Sequence, residues 1–232
     1  MINGAWGCPV FVPSLPASDL PVPLDQPLYG LVLFTGHACV LPLSQLLCLQ
    51  YLHRGEPVVL VDGANAFDPL LFSDAARAHH WNLRELLDTI HLSRVYTCHQ
   101  LEALFTEHLQ QAVTAFRPRA VLCLGLLDTL YDEDVSVAEA SRILRRLRTA
   151  LLALSQRLPI LAACPDPPAA AGDTLAARRA FGASLRRMAR WSFTARPETE
   201  GVLIAREWPD PARWEWAGGL TVRTGGLALR RR

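Results

Sequence analysis

Pro57-Val-Val-Leu-Val-Asp62, continued by Gly63-Ala-Asn-Ala-Phe-Asp-Pro69, is the stretch on which the fold turns. Its consecutive apolar residues lack the alternation of a half-solvated strand. They read as a strand buried on both faces, the habit of parallel sheets. The Gly/Asn/Asp turn that follows leads into a helix near residues 70–80. The same unit recurs in both directions. Tyr29–Thr35, Ser93–Thr97, Ala120–Leu124 and Pro159–Ala163 read as further short strands. A turn over Gly36–Leu41 leads to Pro42, read as the first residue of a helix to about His53. Asn82 opens a capping-box helix carrying Leu83, Leu86, Leu87 and Ile90. His99–Phe116 places Leu101, Leu104, Phe105, Leu109 and Val113 on one stripe, and Ser136 caps a long helix to about Gln156. Strands alternating with helices give an α/β fold, a mostly parallel central sheet with helices on both faces.

The character changes after Ala163. Pro165–Asp173 is a Pro/Ala loop and Thr174–Ala189 a basic helix. Trp191–Arg196, Val202–Glu207 and Leu220–Arg223 read as short strands, added antiparallel at the C-terminal end of the sheet. At the other end Pro9, Pro13, Pro16, Pro21, Pro23 and Pro27 exclude a helix or a central strand and leave an extended arm. The chain thus divides into a Pro-rich arm (1–28), a core domain (29–225) and a basic tail (226–232).

With 232 residues and 50% hydrophobic composition, the chain can bury a sizeable core. Net charge is +1 but unevenly placed: residues 173–232 carry 12 Arg against 6 acidic residues, and residues 1–172 carry 11 Arg against 16. The basic end is the natural place for an anionic partner. All 23 basic residues are arginine. A Walker-type phosphate loop needs a lysine at the head of its helix, and the bulkier, planar guanidinium does not replace it. Cys8, Cys39, Cys48, Cys98, Cys123 and Cys164 form no C-x-x-C pair and read as small buried hydrophobes of a reducing compartment. Without a secretory leader or an apolar run of membrane-spanning length, the expected location is the cytoplasm.

Val61-Asp-Gly-Ala-Asn-Ala-Phe-Asp-Pro69 resembles the I-D-A-E-x-A-L-D-P segment after the second core strand of the RecA/RadA recombinases, a P-loop ATPase family. Ala120–Tyr131 (AVLCLGLLDTLY) resembles that family's Walker B strand and its continuation, and residues 191–223 resemble the C-terminal hairpins of its archaeal and eukaryotic members. The likeness spans roughly residues 29–225. It implies a RecA-like core, and the departures from it imply a core without catalysis. Where the family has G-x-x-x-x-G-K-[ST], this chain has Gly36-His-Ala-Cys-Val-Leu-Pro-Leu43. Gly36 is kept, but Leu41 replaces the second glycine, Pro42 the lysine and Leu43 the hydroxyl that holds magnesium. The catalytic glutamate falls on Ala64, the Walker B aspartate on Gly125, and the polar sensor pair on Ala163-Cys164. No cofactor is expected, and the chain is expected not to be an enzyme.

Other constellations have bland and sharp readings. Asp62 and Asp68 bracket a turn at the carboxyl end of a strand, where open α/β sheets bind ligands. With Asn65 and Asp128 they are the rival site, a small-molecule or nucleotide enzyme; the bland reading has Asp62 bonding backbone and Asp68 capping a helix. His37, Cys39, Cys98 and His99 are zinc-type ligands without the spacing of a structural zinc site, and no metal is expected. Asp128, Asp132, Glu133 and Asp134 read as a solvated acidic loop. Arg142, Arg145 and Arg146 read as an outer helix face. Arg178, Arg179, Arg186, Arg187 and Arg190 are the candidate DNA contacts, since the resemblance places a DNA-lining loop just before them. Trp191, Trp208, Trp214 and Trp216 read as packing, with Trp214 and Trp216 on one side of a strand. The expectation is an accessory protein of DNA recombination or repair. It would bind an active recombinase or a translesion polymerase, with single-stranded DNA as a further candidate ligand and no membrane. The resemblance extends to the arm, which is similar to the segment that links neighbouring recombinases.

Overall fold

Successive residues of the buried strands feed two separate cores, which is why their sequences show no polar alternation. In the first strand Leu31 and Leu33 pack into one core, and Val32 and Phe34 into the other. The computed structural model describes residues 29–167, 173–198, 201–217 and 229–231. The Pro-rich arm, Cys8, the strand expected at 220–223 and the middle of the 165–173 loop lie outside them, as do the side chains of Trp214 and Trp216.

In chain order the elements are β1 (Gly30–Gly36), α1 (Val40–Leu52), β2 (Val58–Asp62), α2 (Pro69–His79), α3 (Leu83–Asp88), β3 (Ile90–Arg94), α4 (Cys98–Ala103), α5 (Leu109–Phe116), β4 (Ala120–Leu124), α6 (Val137–Ser155), β5 (Pro159–Pro165), α7 (Asp173–Arg186), β6 (Trp191–Glu198), β7 (Gly201–Trp208), β8 (Ala212–Ala217) and β9 (Leu229–Arg231). They form one sheet of order β3-β2-β4-β5-β1-β6-β7-β8-β9. Pairing is parallel from β3 to β6 and antiparallel from β6 to β9. Helices α1–α3 cover one face and α4–α7 the other. The expected α/β class, with a mostly parallel sheet and antiparallel strands at the C-terminal end, is therefore what the chain adopts. No helix among the described residues is long and apolar enough to cross a membrane.

The differences from the sequence reading are local. The helix read from Pro42 starts at Val40, with Pro42 in the first turn, where no intrahelical partner awaits its missing N–H. The third strand is Ile90–Arg94, not 93–97: Thr97 is held back as the cap of α4, accepting from Gln100 N at 3.2 Å. Ile90 accordingly leaves the preceding helix, which ends at Asp88. The long helix over 99–116 starts at Cys98 and contains a π-helical turn at Leu104–His108. β6 pairs parallel with β1, so it belongs to the parallel set and only the later strands are antiparallel. β8 arises where no strand was expected. Leu229–Arg231, within the segment read as a tail, pairs with β8.

Caps follow the sequence more faithfully. Ser136 Oγ accepts from Glu139 N at 3.1 Å, Asn82 Oδ1 from Arg84 N at 3.1 Å, and Asp68 Oδ1 from Leu70 N at 2.9 Å. Each satisfies a helix-start N–H that has no partner within its helix.

Candidate functional site

Gly36, Leu41, Pro42, Leu43, Ala64 and Gly125 are brought to the carboxyl edge of β1, β2 and β4. β1 ends at Gly36 with φ of 110°, a conformation open to glycine, and a Cβ there would stand 2.5 Å from the Ala195 carbonyl oxygen. The segment that follows is closed on itself. His37 N donates to Ala195 O at 2.9 Å, Val40 N to His37 O at 3.0 Å, Leu41 N to Ala38 O at 3.1 Å and Leu43 N to Cys39 O at 3.1 Å. Cys39 N donates to His37 Nδ1 at 3.2 Å. A helix start binds phosphate through N–H groups that point outward. Here those N–H groups have internal acceptors, Pro42 has none to offer, and Leu41 is 1% exposed.

Ala64 and Gly125 fill the neighbouring space. Gly63 N donates to Leu124 O at 2.8 Å, pressing the turn after β2 onto the turn after β4. At Gly125, with φ of 63°, a Cβ would lie 2.4 Å from the Cβ of Ala64. The two positions where the resembled family carries carboxylates thus adjoin each other, and at 125 there is no room for a side chain.

Of the rival carboxylate set, Asp62 and Asp68 are bonded to backbone, and Asp128 lies close enough to Asp62 to feel its charge. Asp62 is fully buried and accepts from Ala66 N (2.8 Å) and Phe67 N (3.0 Å), with Arg94 Nε at 3.4 Å. Asp68 caps α2. Gln45, a residue the sequence did not single out, binds this turn to α1: Nε2 donates to Ala66 O at 3.1 Å and Oε1 accepts from Asp68 N at 3.0 Å. Asn65 takes a left-handed φ of 52° in the turn. The bland readings of Asp62 and Asp68 therefore hold. Asp128 departs from the expected solvated loop. Burial, with a smaller contribution from the Asp62 carboxylate, lifts its carboxyl from 3.8 to about 6. Burial also pushes the Cys164 thiol up, which suits an inert packing residue.

The arginine set separates. Arg178 is 1% exposed, and its guanidinium donates to the carbonyls of Leu130 (2.8 Å), Asp132 and Val135. It staples α7 to the segment before α6 and is removed from the candidate DNA contacts, because a buried cation cannot reach a phosphate. Arg186 is drawn to Glu207 (3.3 Å) and Thr35 Oγ1 (3.2 Å), and Arg190 to the Tyr29 carbonyl (3.1 Å). Arg179 and Arg187 stay exposed. On α6, Arg142 and Arg146 both donate to Glu102 Oε1 at 2.9 Å, tying that helix to α4, while Arg145 is exposed. Burial raises the Glu102 carboxyl, but the two guanidinium bonds outweigh it and the net shift is downward.

The zinc-type set is dispersed: Cys39 packs in one core and Cys98 in the other, on opposite faces of the sheet. The five described cysteines are buried. Trp191 packs near Phe193 beneath the Arg206 guanidinium, whereas Trp208 is 60% exposed.

One concavity escaped the sequence reading. A basin of about 860 Å³ lies over β6–β8 beside the end of β1, lined among others by His37, Asp166, Thr194, Arg196, Glu207 and Arg213. No local motif announces it, since its residues come from four strands and three connecting segments and meet only through the pairing of the sheet. No protein-family model matches the chain, and no curated protein matches its sequence.

Proposed function

We propose that this chain is a non-catalytic, RecA-like accessory protein of DNA recombination or repair. It acts in the cytoplasm by binding a protein partner, an active recombinase or a translesion polymerase, with single-stranded DNA as a second ligand. The observation that carries this reading is the closed segment 36–43: Leu41 is buried, Pro42 lacks an N–H, and the helix-start amides are spent internally. The packing of Ala64 against Gly125 supports it, since a metal-holding carboxylate has no room at 125 and Ala64 has no group to activate water.

Partner binding is supported by the β3 edge of the sheet, with which no other strand pairs among the described residues. β3 is an edge strand, with Leu92 (39%), Tyr96 (66%) and Phe116 (44%) exposed on or near it. Phe116 stacks on His91 of that strand at 3.7 Å between ring centroids. An uncovered strand edge beside apolar side chains is a surface on which another chain can add. Arg179 and Arg187 support the DNA arm, because both are exposed and neither has an ion-pair partner among the described residues.

Two measurements test the reading. ATP turnover by the purified chain, with and without single-stranded DNA, should not exceed the buffer rate. Mixing with the purified recombinase of the same organism should give a complex on size-exclusion chromatography. Magnesium-dependent hydrolysis of ATP would overturn it.

A further inference from the structure

We infer that the basin over β6–β8 is a binding site for a nucleoside phosphate, bordering the closed segment 36–43 at His37 but not formed by its helix-start amides. Its floor follows from register. Thr194 pairs with Ala205 and Ala205 with Arg213, so these residues lie side by side across the sheet. Arg196 pairs with Leu203 two residues along, hence on the same face. The middle of the floor is small and apolar, Ala205 and Leu203. Guanidinium groups rise from the strands on either side, Arg196 from β6 and Arg213 from β8. With strands spaced about 4.8 Å apart, those strands stand about 10 Å from each other.

The rim chemistry has two signs, and that selects the ligand. Arg213 is exposed, with no ion-pair partner among the described residues. Arg196 is held only by an exposed pair with Glu198 at 3.6 Å, which water screens. Arg206 is not counted, since its guanidinium lies over Trp191 and its Nε donates to Asp210 O. The two remaining arginines fit a phosphate, which guanidinium binds through paired donors. His37 adds a third donor: its Nδ1 accepts from Cys39 N, so the neutral ring carries its proton on Nε2. On the same rim Asp166 offers a carboxylate acceptor, as does Glu207 through Oε1, its Oε2 being held by Arg186 at 3.3 Å.

A simple polyanion would be repelled by that pair. A nucleoside phosphate satisfies both signs, with its phosphate on the arginines, its base amine and sugar hydroxyls on the carboxylates, and its flat ring over Ala205 and Leu203. The volume of about 860 Å³ is in the range of small-molecule sites and far larger than a phosphate ion needs. One unit of a single DNA strand presents the phosphate, the flat ring and, in adenine, the base amine, but no free sugar hydroxyl.

The test uses the full chain with EDTA present, titrated by calorimetry with AMP, adenosine, ribose 5-phosphate and a (dA) oligomer. AMP is expected to bind more tightly than either of its fragments. Arg213→Ala and Arg196→Ala should each weaken binding about tenfold, the effect of losing one charge-assisted contact. Ala205→Trp, which fills the floor, should abolish it; Arg213→Ala is a surface change that keeps the readout if the Trp variant misfolds. AMP binding with this sensitivity identifies a free-nucleotide site. Binding of the oligomer alone, with the same sensitivity, identifies a DNA-strand site. No binding of either, or binding unchanged by Arg213→Ala, overturns the inference. The accessory reading is judged separately, by turnover and complex formation: oligomer binding lost in Arg179→Ala/Arg187→Ala but not in Arg213→Ala would refute this inference and leave that reading intact.

Discussion

Replacing Arg178 by alanine should be among the most damaging single changes on this chain that leave its cores untouched. The guanidinium is 1% exposed and donates to three carbonyl oxygens, those of Leu130, Asp132 and Val135. A hydrogen bond to a charged donor contributes about 1.5–3 kcal/mol. Against this stands the desolvation of the cation, made worse because Nε has no partner. Truncation removes that cost but orphans three carbonyls and leaves a void, so the net loss should be about 3–5 kcal/mol. At about 2–4 °C per kcal/mol for a chain of this size, melting should fall by roughly 10 °C. Urea unfolding followed by circular dichroism measures the first figure and calorimetry the second. Hydrogen exchange adds a local readout, since residues 128–136 should lose protection before the sheet does. Arg178→Met, which restores volume but no donor, should recover only part of the loss. The reasoning fails if Arg178→Ala melts within about 2 °C of the parent. It also fails if stability is unchanged while DNA retention falls, since Arg178 would then be a ligand contact.

Asp128 sets a pH dependence. Its folded pKa of about 6 lies above the ordinary 3.8, so the folded state keeps a proton that the unfolded chain releases. Stability should therefore fall as pH rises between those values and level off above; Asp128→Asn should remove that slope and raise neutral-pH stability by about 2–3 kcal/mol. Denaturant melts at a series of pH values decide this, and an unchanged slope in Asp128→Asn would contradict it. Gly125→Asp, offered as a restored metal ligand, should lower melting by several degrees and yield no ATP turnover, because any Cβ there meets Ala64. Glu102→Ala should cost about 1–2 kcal/mol, since Arg142 and Arg146 are partly solvated, and should loosen α4 from α6, seen as faster exchange of α4 amides. Arg179→Ala/Arg187→Ala should leave melting within about 0.5 kcal/mol of the parent while reducing salt-sensitive retention of single-stranded DNA.

By itself the sequence determined the class of fold, the two-sided burial of the inner strands and most helix starts. These are local properties: an uninterrupted apolar run such as Val58–Val61, or a capping residue such as Ser136, acts wherever the chain goes. It also showed what residues 36–43 lack, because no tertiary contact can give Pro42 an N–H or Leu41 the freedom of glycine. Tertiary structure alone decided which arginines are free. Arg178 and Arg179 are adjacent in sequence and chemically identical, yet one faces a set of buried carbonyls and the other solvent. The packing of α7 against the segment before α6 makes that difference. Register likewise decided the basin: Thr194, Ala205 and Arg213 are distant along the chain and become neighbours only when β6, β7 and β8 pair, so no spacing in the sequence encodes them.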